Sequence, residues 1–265
     1  MNLDHSPSIL PAFAPTPPTL EQRGDLRRRP AGAVIGRQRW NHLLFAHWMV
    51  DPSLIQATLP PGLYVDTFAG AAYIGIVPFS MERVRPAWLP PLPWLSWFHE
   101  LNVRTYVYDA QGQPGVWFYS LDCNQPLAVA IARRFFHLPY QSARMARAAH
   151  DGWIQFECQR QVAGAQPSNY AWTPGAEAAP AIPGSLEFFL LERYLLFAAD
   201  PAGRLYQGRV HHDPYRCYVP RGARWSVEPA RLAGFNLVDE PASVLAARPV
   251  DVAIFPLTPL VSTAL

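Results

Sequence analysis

The chain has no lysine: all 22 of its basic Lys and Arg residues are arginine. Catalysis through an imine needs a side-chain primary amine, so lysine-based Schiff-base chemistry is excluded from the folded body. Cysteine is scarce as well. Cys123, Cys158 and Cys217 lie far apart without a CxxC pairing, which speaks against a disulfide framework and suits a reducing compartment. Charged residues make up only 16% of the chain and nearly cancel, at a net +2, with the arginines dispersed rather than gathered into a block with exposed aromatics. That pattern argues against a nucleic-acid partner. No run is apolar enough to span a membrane, because the longest helical stretch, "SLEFFLLERYLLFAAD", is interrupted by Glu192 and Arg193. The opening "MNLDHSPSILPAFAPTPP" lacks the basic start and continuous apolar core of a signal peptide. These absences lead to the expectation of a soluble cytoplasmic protein without a membrane partner.

What is present points to a packed body. An apolar content of 50%, with 13% aromatics over 265 residues, suffices for one large domain or two small ones. Residues 1–30 are rich in proline, end in "RRRP" and are expected to form a flexible tail, leaving 31–265 as a single domain. Beyond the tail, short runs rich in β-branched and aromatic residues recur between turn signals: "LLFAHWMV", "LYVDTFAGAAYIGIVPFSM", "LNVRTYVY", "GVWFYSLDC", "ARMARAAH", "GWIQFECQRQV", "RLYQGRVHH" and "VDVAIFPL". The "DAQGQPG" and "HDG" segments read as hairpin loops, so neighbouring strands are antiparallel. Three helices are expected: "DPSLIQATL" capped by Asp51, "QPLAVAIARRFF" introduced by Asn124 and Pro126, and "SLEFFLLERYLLFAA" capped by Ser185. No fixed-period repeat is found. The expected class is α+β, mainly antiparallel β, with the meander closed or nearly closed into a barrel.

The stretch "IARRFFHLPYQSARM" sets two arginines side by side at the end of an apolar helix. Projected at about 100° per residue, Leu127, Ile131 and Phe135 share a face and Val129 and Phe136 lie opposite, so the helix reads as an internal wedge. Arginine cannot shed its proton when buried, so Arg133 or Arg134 is expected to pair with a carboxylate, Glu100 being the candidate, or with a bound anion. A structural pair at a helix C-terminus and a ligand pocket are both open readings. In "FHELNVRTYVY" the positions Glu100, Asn102, Arg104, Tyr106 and Tyr108 share one face, while Leu101, Val103 and Val107 share the other. Turned outward, the polar face is ordinary surface; turned inward, it lines a ligand cavity.

The order "HELNVRTYV", hairpin, "GVWFYSLD", helix, "ARRFFHLPY", together with "WNHLLFAHWMV", "LPPGLYVDTFAGAAYIGIVPF" and "SLEFFLLERY", closely resembles the YqjF-like family from Arg39 to Leu257. More distantly it resembles acetoacetate decarboxylase, whose pattern runs from a strand glutamate through a hairpin and helix to Gly-Arg-Glu and Pro-Lys-Lys. The resemblance implies a cone-shaped β-barrel with an internal ligand cavity, and sets Glu100 on the strand glutamate, Arg133 on the motif arginine and Pro139 on the motif proline. It also exposes departures: Arg134 stands at the motif glutamate, and Tyr140 and Gln141 stand at the two lysines. Imine-dependent acetoacetate decarboxylation is thereby excluded.

The chemistry that remains centres on Tyr140 and Glu100 as candidate catalytic groups, with Arg133, Arg134, Arg104 and His137 as candidate ligand-binding groups. Tyr140 can serve as general acid or oxyanion donor, or simply seal a core with its hydroxyl paired. His42 and His47, five residues apart, and the adjacent His211 and His212 face opposite ways on a continuous strand, so no metal is expected. No cofactor is expected either. Cys123 has no histidine at a recognisable spacing, and the aromatics of "RCYVP" are read as exposed and as an interface. The segment Pro86 to Phe98, "PAWLPPLPWLSWF", reads as a lid or as a homo-oligomer contact. Two functions survive, an enzyme on a small carbonyl or carboxylate compound without an imine step and a protein that binds or senses such a compound; an oligomeric interaction role carried by Pro86 to Phe98 is the third.

Overall fold

The computed structural model describes residues 15–260, apart from 176, 178, 179 and 239. In chain order its elements are α1 (Leu20–Asp25), β1 (Gly36–Asn41), β2 (Leu43–Val50), α2 (Pro52–Gln56), β3 (Leu63–Val65), β4 (Ala72–Pro86), β5 (Phe98–Asp109), β6 (Pro114–Cys123), α3 (Pro126–Phe136) and β7 (Tyr140–His150). They continue with β8 (Trp153–Arg160), β9 (Ser168–Trp172), α4 (Leu186–Leu191), β10 (Leu195–Ala199), β11 (Leu205–His211), β12 (Cys217–Tyr218), β13 (Ala223–Arg224), α5 (Glu228–Leu232), β14 (Ser243–Ala247) and β15 (Val250–Pro259).

Hairpin chemistry fixes the register where the sequence places it. Asp151 and Gly152, at φ 49° and 78°, make the two-residue turn between β7 and β8, the positive-φ geometry that matches the twist of paired strands. β5 and β6 pair antiparallel across the Asp109 turn. Successive ladders join β4 to β5, β5 to β6, β6 to β10, β10 to β11, β11 to β15, β15 to β1, and β1 back to β4. The β6–β10 and β6–β7 ladders are parallel, an exception to the expected antiparallel order. Three branches leave this circuit: β7–β8–β9–β13 from β6, β2–β14–β12 from β4, and β3 from β5.

Both faces of β5 are buried, and they meet different cores. Phe98 and Tyr106 pack with Phe45, Tyr73, Phe189 and Tyr215, whereas Leu101 and Val103 pack with Trp48, Ile74, Phe156 and Trp172. The alternation seen in the sequence therefore turns the polar face of β5 toward the first cluster, with Glu100 and Asn102 buried. The class is mixed α+β, mostly strand.

Four expectations are corrected. The segment 20–25, placed in a flexible tail, is a helix with a Thr19–Gln22 capping box; Leu26 is buried and Arg23 reaches Asp66 at 2.6 Å. Residues 1–14 lie outside the described residues. The helix capped by Ser185 stops at Leu191, after which Leu195–Ala199 is strand. The α3 helix is not a wedge: only Val129 and Ala132 are buried, and Leu127, Ile131 and Phe135 are 48%, 44% and 64% exposed. Its N-cap is Gln125, with Pro126 in the first turn. Lastly, Tyr215 and Tyr218 are buried, so the aromatics around "RCYVP" are core and not exposed surface.

Candidate functional site

Two polar groups lie on the face of β5 that carries Glu100 and Tyr106. The first joins β5 to β7: Tyr140 Oη donates to Glu100 Oε2 at 2.6 Å, with both side chains buried. Burial pushes the Glu100 carboxyl up to about 7, against the Tyr140 and Asn102 hydrogen bonds that favour its charged form. Burial and the neighbouring Glu100 charge hold the Tyr140 phenol well above its ordinary value. At neutral pH the pair therefore holds a neutral phenol donating to a carboxyl close to its own titration point.

The arginine pair is not part of this group. Arg133 and Arg134 are exposed at the end of α3, where the solvated flank of a half-buried helix lets them keep their hydration. Arg133 Nε donates to the Tyr140 carbonyl at 2.7 Å and Nη2 to Gln141 at 3.5 Å, so it secures the backbone that carries Tyr140. Arg134 lies 5.6 Å from the Phe135 ring. Neither reaches Glu100, whose expected guanidinium partner is replaced by the Tyr140 hydroxyl. His137 caps the helix in the left-handed region at φ 52° and packs on Tyr206 at 5.0 Å, with no bond to Glu100 or Tyr140.

The second group surrounds Arg104, further along the same face. Arg104 lies 5.6 Å from the Phe45 ring and 5.7 Å from the Tyr106 ring, and Nη2 donates to Leu190 O at 3.3 Å. Tyr106 Oη and His47 Nε2 are 2.8 Å apart, and Phe45 packs on Tyr215 at 5.3 Å. His212 packs against Tyr215 at 4.6 Å and Tyr194 at 4.7 Å. Arg193 stands over Phe189 and Tyr106 at 4.3 and 5.0 Å and donates to Asp66 at 2.8 Å. Asp66 also takes both guanidinium nitrogens of Arg23, at 2.6 and 2.7 Å. Glu192 receives the Tyr194 hydroxyl and the Tyr215 N–H and lies 3.4 Å from Arg27.

Four buried nitrogens in this second group have no hydrogen-bond partner among the described residues: Arg104 Nε, Arg193 Nη2, His47 Nδ1 and His212 Nε2. Burial, helped by the Arg104 charge, holds His47 well below its ordinary value, and burial holds His212 down to about 4, so both imidazoles are neutral. Arg104 has no carboxylate within ion-pair reach among the described residues. Uncompensated buried donors are costly, which makes their grouping chemically specific.

Of the residues singled out in the sequence, the structure brings together Glu100 and Tyr140, and puts Arg104 on the same strand face. It adds His47, Asp66, Glu192, Arg193, His212 and Tyr215, which sequence reasoning missed. One signal was present: Glu192 and Arg193 interrupt an apolar run, and charges within a buried run need partners. Around Pro86 to Phe98, Trp88 and Trp94 are 74% and 79% exposed, and the loop touches α3 through Gln125 Nε2 to Trp94 O at 3.1 Å. Cys123, Cys158 and Cys217 are all free and buried. No helix among the described residues is long and apolar enough to cross a membrane.

The profile of DUF2071, described as an uncharacterized conserved protein, matches residues 37–251. The chain belongs to that family. YqjF of Bacillus subtilis (strain 168) is 40% identical over 186 residues, covering 70% of this chain and 76% of that protein. Among solved structures, the fold is similar to acetoacetate decarboxylase from Legionella pneumophila, with a TM-score of 0.59 at 12% identity over 88% of this chain and 91% of that one. An acetoacetate decarboxylase-like enzyme from Sphingomonas wittichii RW1 gives 0.60 at 14% identity, over 86% and 94% of the two chains. The enduracididine biosynthesis enzyme MppR, complexed with pyruvate, gives 0.57 at 13% identity, over 89% and 93%. At these identities the likeness is one of fold.

Proposed function

We propose that this DUF2071 protein binds a small organic carboxylate or carbonyl compound inside a barrel formed by the β4–β5–β6–β10–β11–β15–β1 circuit. The observation that carries the reading is the set of partnerless buried nitrogens on Arg104, Arg193, His47 and His212. Two are guanidinium donors that stay charged, and a ligand carboxylate would supply the acceptor that Arg104 lacks. The aromatic faces of Phe45, Tyr106 and Tyr215 frame those donors and give a small ligand apolar walls. The pyruvate complex of MppR, on a similar fold, supports the ligand class. Arg133, Arg134 and His137 have no part in this reading. The three buried free cysteines accord with a cytoplasmic setting.

Turnover is the second reading, and Glu100 favours it. A carboxyl near 7 can take or return a proton at neutral pH, and Tyr140 can donate to the oxygen of an adjacent carbonyl. Arg104 stands four residues along the same strand face, about 13 Å at 3.3 Å per residue. A ligand whose acidic end rests at Arg104 must therefore be extended for its far end to meet Glu100.

Native mass spectrometry of freshly purified protein tests both readings. A retained small acid that is lost in Arg104→Gln supports the binding site, and its chemical conversion on incubation supports the enzyme. Protein free of ligand, with no shift on adding millimolar 2-oxo or 3-oxo acids, would overturn the site.

A further inference from the structure

A second site is built on the face of the sheet opposite to these donors. Gln38 and Trp40 are joined at 2.9 Å and Trp40 packs on the inner core, so Arg37, of opposite parity, projects outward and is exposed. Register places Arg85, Arg37, Ala253 and His211 in one row across β4, β1, β15 and β11. Directly paired residues share a face, so Arg37 and Arg85 confront each other as like charges, an arrangement that costs stability by itself. A bulge adds a third cation. Arg83 and Val84 stand opposite the single residue Gln38, and Arg83 holds φ 53°, which re-aims its side chain. Arg29 lies over Phe255 of β15 at 5.8 Å and brings a fourth.

Arg29, Arg37, Arg83, Arg85, His211 and Asp251 line one cleft of about 340 Å³. The carboxylate there is already engaged, since Asp251 pairs with Arg39 at 3.3 Å. Among the described residues none of the four arginines has a salt-bridge partner; Arg85 donates only to the Leu89 carbonyl, at 3.0 Å. Four unneutralised guanidiniums around one cleft call for a compact ligand of several negative charges. Guanidinium forks match phosphate oxygens two at a time.

We propose that this outer cleft binds a small oligophosphate, of the diphosphate or triphosphate class, independently of the internal site. Isothermal titration at fixed ionic strength should give one site for inorganic pyrophosphate or tripolyphosphate, at least tenfold tighter than for orthophosphate or citrate. The Arg37→Gln/Arg85→Gln double variant should weaken it tenfold or more, and Arg134→Gln, elsewhere on the surface, should leave it unchanged. Because removing one of two facing cations relieves repulsion, Arg37→Gln should also raise the melting temperature of the ligand-free protein. Arg83→Gln on the exposed bulge supplies a second binding test should the double variant not fold. No saturable binding of either oligophosphate, citrate bound as tightly, single-stranded RNA bound in their place, or affinity indifferent to these substitutions would each overturn the proposal.

Discussion

Burial governs the Glu100 carboxyl more strongly than any single neighbour, and this has a consequence in pH. Its folded value of about 7 lies above the ordinary 4.5, so between these limits the folded state holds a proton that the unfolded state has released. The stability tied to Glu100 is thus fully present below about 4.5 and is lost as pH rises through about 7, a change of about 3 kcal/mol. Glu100→Gln keeps an acceptor for the Tyr140 hydroxyl and abolishes the titration. Its melting temperature relative to the natural protein should climb between pH 4.5 and 8, by roughly 2–4 °C per kcal/mol. A difference that stays constant with pH would show that Glu100 titrates normally. Asp122 follows the same rule: burial raises its carboxyl although Arg160 reaches it at 2.6 and 3.1 Å, and both side chains are buried. Arg160→Met should leave Asp122 uncompensated and cost about 3–5 kcal/mol, measured by chemical denaturation at neutral pH. An effect below about 1 kcal/mol would mean that water already reaches the pair.

Elements dock here through charges as much as through apolar surface. The short helix α1 buries none of its own residues and is flanked by the buried Pro18 and Leu26, and Arg23 and Arg27 tie it to Asp66 and Glu192 beside the unpaired donors. Deleting residues 1–29 should therefore lower the melting temperature by several degrees, with Arg23→Ala alone costing about 1–3 kcal/mol; a truncated chain as stable as the whole would show that α1 is dispensable. The parallel seam between β6 and β10 depends on close approach: a Cβ on Gly115 would lie 2.7 Å from Phe197 Cε2 and 2.9 Å from the Leu195 carbonyl. How much of this was legible varies with the range of the forces involved. The β5–β6 and β7–β8 hairpins and the alternation of β5 follow from local turn chemistry and period two, and were read correctly. The partner of Glu100 was not: an arginine of the α3 pair was expected there, and the Tyr140 hydroxyl takes that place. The α1 tether was not legible, because proline-rich composition hides a helix held by partners 43 residues away in Asp66. Nor was the end of α4, where Glu192 leaves helical geometry, accepts the Tyr194 hydroxyl, and the chain continues as strand from Leu195. The wedge reading of α3 failed for a related reason: periodicity gives the apolar stripe of a helix but not which side the sheet covers.

Across the whole molecule, the histidines oppose Glu100 and outnumber it. His42, His47, His99 and His212 are all held below 6.5, in each case first by burial, with His99 and His212 brought down to about 4. Their stability contribution is present above 6.5 and is lost as pH falls toward 4, since the unfolded chain takes up protons that the folded imidazoles refuse. For the buried His212 this amounts to about 3 kcal/mol. Glu100 pushes the other way over nearly the same window, gaining on acidification what the histidines lose. Asp109 and Asp122, also raised by burial, act with Glu100; the four imidazoles still outnumber the three carboxyls, so the melting temperature is expected to fall on going from pH 7 to pH 5. Substituting Glu100 by Gln removes one of the opposing groups and should make that fall steeper, whereas His212→Phe, which keeps an aromatic ring between Tyr194 and Tyr215, should make it shallower. Melting curves of the three proteins at half-unit pH steps decide the matter. A melting temperature that holds or rises toward pH 5 in the natural protein would mean that these imidazoles charge freely in the folded state, and the neutral donor cluster inside the sheet would lose its physical basis.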